Sequence, residues 1–184
     1  MLIRVLAPLC IAALCGATLM QIVRPSVPKL LYNPSPSAPV GWYQVKRNAT
    51  VERGDLVAAY APPEASALAI ERQYLPPEIP LIKTVWAVSG EQVCHDGRTV
   101  NVAGRPALVV LTHDSLGRPL PHRNGCYSVS EDQVFLVSTD VQTSFDSRYF
   151  GSVSRSNIIG KVEYLGRLHG RSERLGVSGK AGHG

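Results

Sequence analysis

Beyond residue 40 the chain is cut into short runs rich in Val, Leu, Ile and Tyr, each broken after a few residues by Gly, Pro, Asp or Asn. The runs are Gly41–Val45, Asp55–Tyr60, Leu81–Val88, Thr99–Val102, Ala107–Leu111, Cys126–Val129, Gln133–Ser138 and Ile158–Leu165. Punctuation of this kind reads as strands joined by tight turns. One stretch differs: Glu64 to Tyr74, between Pro62-Pro63 and Pro76-Pro77, reads as a short helix. Nothing alternates strand with helix as a doubly wound sheet requires. The expected fold is therefore mainly β, with Arg118 to Asn124 as a turn-rich excursion. Of the 184 residues, roughly 130–140 remain for this domain once an N-terminal segment is set aside, enough for one core.

That segment is the apolar run Val5 to Val23, interrupted by Thr18 and Gln21 and bracketed by Arg4 and Arg24. Its length, about 19 residues, is near the minimum that spans a bilayer. No small-x-small exit marks a cleavage site, and Leu9-Cys10 and Leu14-Cys15 do not suit a lipoprotein cysteine. The reading is a retained transmembrane signal anchor over 1–24 and a Pro-rich connector over 25–32. The soluble domain follows over 33–166, then a basic, Gly-rich, frayed tail over 167–184. Charge leaves the orientation open, because Arg24, Lys29, Lys46 and Arg47 face only Arg4 and the N-terminal amine. The net charge of +5 is scattered, apart from Arg167, Arg171, Arg174 and Lys180 in the tail. Without aromatic interleaving or a nucleic-acid module, the chain is not read as a nucleic-acid binder.

Three segments carry candidate chemistry. In Asn33-Pro34-Ser35-Pro36-Ser37-Ala38-Pro39 the prolines exclude helix. The segment is expected to run extended, presenting its hydroxyls just outside the anchor; the plainer alternative is a spacer. Lys83 interrupts the apolar strand Leu81–Val88, and alternation places it on the face of Val85 and Ala87. It is either a lysine reaching out to solvent or a desolvated general base. A free lysine is neutral about once in a thousand molecules at pH 7.4, so only burial makes it a base for a serine nucleophile. In Ser144-Phe145-Asp146-Ser147-Arg148-Tyr149-Phe150-Gly151, Asp146 and Arg148 can form a buried charge-assisted pair. The alternatives there are a polar turn or a shell that orients the lysine.

Other constellations are weaker. His95-Asp96 and His113-Asp114 suggest a Ser–His–Asp triad, but strand neighbours point to opposite faces and no Gly-x-Ser-x-Gly elbow exists. Cys94 and Cys126 are candidates for a disulfide, or with His95 and His122 for a metal site whose spacing fits no zinc pattern. No metal site and no cofactor are expected.

Taken in order, Ser-x-Pro after an anchor, Arg53-Gly54-Asp55-Leu56-Val57, Ile82-Lys83-Thr84-Val85 and Ser144 to Gly151 resemble the signal-peptidase superfamily of Ser–Lys proteases. Housekeeping members commonly read Ser-Met-x-Pro-Thr, whereas here Ser37-Ala38-Pro39-Val40-Gly41-Trp42-Tyr43 brings the proline closer and adds Gly-x-Tyr. With Ser138-Thr139-Asp140 and Gly117-Arg118-Pro119-Leu120-Pro121, these departures are similar to the TraF-type peptidases of conjugative plasmid transfer.

The resemblance implies a signal-peptidase-like β-domain on a single N-terminal anchor, seated on the periplasmic face of the bacterial inner membrane. It implies Ser37 as nucleophile, Lys83 as general base and Asp146 as the acid that orients the site. Ser144 would position the lysine, Ser35 would assist the oxyanion hole, and Arg148 and Gly151 would complete the structural motif. The implied partners are the membrane and a pilin precursor or other membrane-inserted protein, cut by hydrolysis or joined into a ring. A general type I signal peptidase is the main alternative. A non-enzymatic envelope subunit of a secretion or conjugation machine is the second.

Overall fold

The computed structural model describes residues 28–76 and 79–167. The predicted anchor, the first three residues of the connector and all but the first residue of the tail lie outside these. Among the described residues no helix is long and apolar enough to cross a membrane.

The protein is mainly β, in two antiparallel sheets. Its strands are β1 (Leu30–Asn33), β2 (Gly41–Lys46), β3 (Leu56–Ala59), β4 (Leu81–Val88), β5 (Gln92–Asp96), β6 (Thr99–Val102), β7 (Leu108–Val109), β8 (Asn124–Ser128), β9 (Gln133–Val137), β10 (Val153–Ser154) and β11 (Ile158–Gly166). Helix α1 (Pro63–Glu71) follows β3, and a single helical turn, α2 (Ser147–Phe150), follows β9. The larger sheet runs β1-β2-β11-β3-β4-β9-β10 and the smaller β7-β6-β5-β8. Every predicted run contains a strand, within a few residues at its ends. Sequence reading did not identify β1, β5, β10 or α2.

Strand β11 joins the two halves of the large sheet. Its first residues pair with β3 and its later ones with β2. Close approach is enforced by glycine at two points. A Cβ on Gly160 would sit 2.7 Å from the Lys46 carbonyl oxygen, and one on Gly41, whose φ is 150°, would sit 2.6 Å from that of Gly166. Any other side chain at either position would force the seam between β2 and β11 apart.

Apolar faces meet on both sides of β4 and β9, whose residues are almost all buried. Trp86, Ala87, Val93, Val100, Phe135 and Tyr149 pack in one cluster, while Val57, Val85, Val134 and Leu136 pack in another. One expectation is corrected here. Val85 pairs with Leu136 and Ala87 with Phe135, so β4 carries one extra residue at Trp86. Such a bulge reverses the alternation beyond it. Lys83 therefore shares a face with Val85 and its cross-strand partner Val57, whereas Ala87 looks the other way.

Cys94 and Cys126 face each other across β5 and β8 and are joined as a disulfide. The bridge spans 32 residues of sequence and staples the small sheet. It also removes both thiolates from the four-residue metal reading.

Candidate active site

The Ser37 segment is not extended. Pro36 and Ser37 lie in a turn between β1 and β2. Proline fixes φ near −65°, a value that suits the second position of a turn as well as an extended chain, so local sequence left both open. The deciding residue is Asn33, which is buried at the end of β1. Its Oδ1 accepts the Ser35 N–H at 3.1 Å, while its Nδ2 donates to the carbonyls of Ser35, Ala38 and Pro39 at 2.8, 3.0 and 3.3 Å. An Asx-type turn of this sort lets one side chain replace the missing backbone ladder. Tyr43, fully buried, donates from its hydroxyl to the Pro39 carbonyl at 2.6 Å and fixes the exit. The Gly-x-Tyr that sets the sequence apart thus has two structural duties, a seam at Gly41 and a brace at Tyr43.

Inside that turn the two serines are in contact. Ser35 Oγ donates to Ser37 Oγ at 3.1 Å and accepts the Ser37 N–H at 3.2 Å. Both hydroxyl-bearing residues line a cavity of about 260 Å³ whose wall also includes Lys83 and Ser144.

Lys83 is 2% exposed. Among the described residues no ion pair includes it. Burial pushes its ammonium down from 10.5 to about 8; Asp146 opposes the shift and Arg148 adds to it. An amine so placed is neutral in a useful fraction of molecules near neutral pH.

Asp146 does not contact the lysine directly. Its carboxylate is occupied by Arg148, whose Nε and Nη2 each donate at 2.8 Å, and by the backbone N–H of Ser138 at 3.0 Å. It also caps α2 by accepting the Arg148 N–H at 3.2 Å. Arg148, 2% exposed, donates further to the carbonyls of Val109, Val141 and Ser144. A buried guanidinium with its donors shared this way ties the loop before α2 to β7. Gly151 ends α2 with φ 84°, where a Cβ would lie 2.9 Å from the Arg123 guanidinium carbon.

Ser144 is buried beside the cavity, but its hydroxyl donates to Ser138 Oγ at 3.1 Å. Ser138 Oγ in turn donates to the Ser37 carbonyl at 2.7 Å. A relay therefore runs from the Asp146 loop to the backbone of the Ser37 turn. Asn33 and Ser138 are the two site residues that sequence reading missed as such. Asn-Pro at a strand end is a recognised turn opener, so Asn33 had a local signal. Ser138 stood out only as part of Ser138-Thr139-Asp140, and its role had no local sign, since it acts on a residue 101 positions away.

The competing constellations are separated. His95 is buried between Tyr127 and Phe135 in the small sheet, and Asp96 is exposed at the end of β5. Neither borders the cavity. His113 meets Thr112, and Asp114 is taken up by Tyr74 and Arg118. Arg53-Gly54-Asp55 is scaffold: Arg53 pairs with Glu91, and Asp55 takes the Glu52 N–H and Lys161.

A buried lysine with its pKa pushed down and a hydrogen-bonded pair of serines thus line one cavity. In keeping with it, residues 2–165 match the model of the signal peptidase, peptidase S26, family, and the chain belongs to that family. Within it the chain is of the TraF type. It is 38% identical over 138 residues to the plasmid transfer protein TraF of Escherichia coli, covering 69% of this chain and 77% of that protein. To the probable conjugal transfer protein TraF of Sinorhizobium fredii (strain NBRC 101917 / NGR234) it is 40% identical over 142 residues, 71% of this chain and 73% of that one. A crystal structure of a signal peptidase I from Enterococcus faecalis V583 aligns with 61% of this chain and 97% of its own at 19% identity, with a TM-score of 0.37.

Proposed function

We propose that this chain is a membrane-anchored Ser–Lys endopeptidase that trims a conjugative pilin precursor. The observation that carries the reading is Lys83, a lysine held near pH 8 by burial in the same cavity as Ser37.

In the proposed reaction Ser37 Oγ attacks the scissile carbonyl carbon while neutral Lys83 Nζ takes the hydroxyl proton. The carbonyl oxygen becomes an oxyanion that accepts from the Ser37 N–H and from the Ser35 hydroxyl. In the resting site those two donors are satisfied by serine oxygens, and a bound substrate carbonyl would replace those acceptors. Loss of one such donor typically costs 100- to 1,000-fold in rate. The Lys83 ammonium then protonates the leaving amine, which departs and leaves an ester on Ser37. Water resolves that ester with Lys83 again as base, giving hydrolysis. If the N-terminal amine of the same pilin attacks instead, the product is a ring. Neither branch calls on a metal or organic cofactor. Asp146, Arg148, Ser144 and Ser138 serve as positioning groups, holding the lysine strand and the serine turn in register.

The names of the relatives support conjugative transfer as the setting. The apolar run over Val5–Val23 supports an inner-membrane anchor, and β1 begins at Leu30 only a few residues beyond it. Placement of the domain on the periplasmic face follows from the chemistry, because an exported precursor presents its cleavage segment there.

The test is the intact mass of a pilin precursor co-expressed with wild type, Ser37→Ala or Lys83→Ala. The expected result is a shortened pilin with wild type only, and a further loss of one water mass marks ring closure. Trimming that survives both substitutions refutes the assignment. Trimming of unrelated exported precursors by the purified enzyme would favour a general signal peptidase. A fully folded protein with no proteolysis of either kind would favour a non-enzymatic envelope subunit.

A further inference from the structure

Away from the cavity, one titratable side chain is shut inside the fold and used by none of the proton transfers. His95 on β5 is 6% exposed, and among the described residues its Nε2 has no hydrogen-bond partner. Its ring stacks on Tyr127 of β8, with centroids 6.2 Å apart and planes at 16°, and meets the edge of Phe135 of β9 at 6.2 Å. A neutral imidazole with its proton on Nδ1 leaves only a lone pair in this slot. An imidazolium would bury an N–H there without an acceptor, which is far more costly.

The charges nearby do not relieve that cost. Arg123, in the connector before β8, opposes the proton. Asp96, at the exposed end of β5, favours it, but its carboxylate already accepts from the N–H groups of Arg98 and Thr99 and from the Thr99 hydroxyl. Tyr127 stays neutral, since burial pushes its phenol up, and its hydroxyl accepts from Ser152 Oγ at 3.2 Å. Phe135 and Val100, the partner of His95 on β6, bring no charge. Burial first and Arg123 second therefore hold the His95 pKa below the ordinary 6.5.

The same neighbours hold α2 in place. Arg123 Nη2 donates to the Phe150 carbonyl at 2.8 Å and Nε to the Tyr149 carbonyl at 3.4 Å, both in that helical turn. Ser152, bonded to Tyr127, lies two residues past its end. On the other side Phe135 precedes Leu136, whose N–H donates to Ser147 Oγ at 2.9 Å. The helical turn carries Arg148, is capped by Asp146, and sends Tyr149 to the wall of the cavity that Ser37 and Lys83 share. The seam between the small sheet and α2 is thus built from the groups that enclose His95.

We infer that His95 is an acid-sensitive latch, whose protonation parts the small sheet and Arg123 from α2 and so disables the Ser37–Lys83 site. A second cation in the seam repels the Arg123 guanidinium, which is exposed and can swing into water, leaving the two α2 carbonyls without their donor. Above pH 6.5 the imidazole is neutral whether the seam is closed or open, and the latch costs nothing. Below that pH the open form takes the proton first, so the closed form loses ground by up to about tenfold per pH unit until the enclosed imidazole titrates too. The effect on cleavage rests on the Ser–Lys reading above; the opening of the seam does not.

Two measurements on full-length enzyme in detergent test the latch. The first is kcat/KM on a purified pilin precursor as the pH is lowered from 8 to 5. Protonation of Lys83 alone gives a slope of about one in log kcat/KM per pH unit, and a second proton steepens it toward about two. Wild type is expected to show the steeper limb below pH 6.5, and His95→Phe, which keeps a flat ring in the slot, to return to the single-proton slope. His95→Gln serves as the second variant if phenylalanine fails to fold. The second measurement is hydrogen exchange in Ser37→Ala, which excludes self-digestion, over residues 123–128 and 147–152. After correction for intrinsic rates, protection should fall about tenfold from pH 7 to pH 5 and stay constant once His95→Phe is added. A steep limb that persists in both His95 variants belongs to another group and overturns the latch, as does exchange that ignores pH. If no precursor is cut in a Ser37-dependent way, the functional reading fails, and the exchange measurement decides the latch by itself.

Discussion

Holding an ammonium group at 2% exposure works against folding. The drop in Lys83 pKa from 10.5 to about 8 corresponds to about 3 kcal/mol, at roughly 1.4 kcal/mol per pH unit. The sign follows from which state binds more protons. Below pH 8 the lysine is charged in both states and the penalty is complete. Between 8 and 10.5 the folded protein has lost the proton and the unfolded chain keeps it, so stability rises with pH. Lys83→Met is therefore expected to be more stable than wild type by about 3 kcal/mol at pH 7. That gap should close as the pH rises past 8, as urea melts at pH 7 and pH 10 would register. The same substitution should abolish cleavage. In wild type, kcat/KM should climb with pH and level off above about 8; a profile flat from pH 6 to 9 would remove Lys83 as the base. Asn33 supports a second prediction. Asn33→Ala strips four hydrogen bonds from the Ser37 turn. A nucleophile displaced by about 1 Å loses on the order of 100-fold in rate. The loss should fall on kcat, with KM little changed, in steady-state assays of folded protein.

At the scale of elements, α2 shows how little helix suffices when its contacts are right. Four residues hang on Asp146 and Arg148, both buried and saturated. Arg148→Met leaves a buried carboxylate without its partner, a change that typically destabilises by 3–5 kcal/mol. Chemical denaturation should register a loss of that size, and Arg148→Lys should recover only part of it because lysine lacks the fork. These elements also mark the limits of reading the sequence. β4 was legible end to end because its apolar run is long and bounded by turn formers, and Lys83 stood out against it. The motif from Ser144 to Gly151 was legible as a pair of charges, but its helical turn was not, since four residues carry no periodicity. β1 escaped because its residues look like linker; their pairing with β2 and the Asn33 side chain define them as a strand. The bulge at Trp86 is set by partners on β9 and has no local sign. Ser138 is legible only in three dimensions.

For the molecule as a whole, the two sheets divide the labour. Ser37 and Lys83 belong to the large sheet and its turns, whereas the disulfide belongs to the small one. Breaking Cys94–Cys126, which closes a loop of 32 residues of separation, should cost about 3–4 kcal/mol in the chain-entropy view. Cys94→Ser/Cys126→Ser is expected to melt lower by that amount. Its cleavage rate per folded molecule should be unaltered at temperatures where it remains folded.

The order of strands has a temporal side. In the large sheet, β11 lies between β2, which follows the Ser37 turn, and β3, which flanks the lysine strand. Yet β11 is the last strand among the described residues. A polypeptide emerging N-terminus first has the proposed nucleophile by residue 37 and the proposed base by residue 83, and the sheet that holds them closes only when Ile158–Gly166 arrives. A chain stopped at Ser152 would carry both reactive groups and cut nothing, which a truncated form assayed beside the full-length enzyme would reveal. On the proposed reading, the strand order delays activity until the sheet is complete.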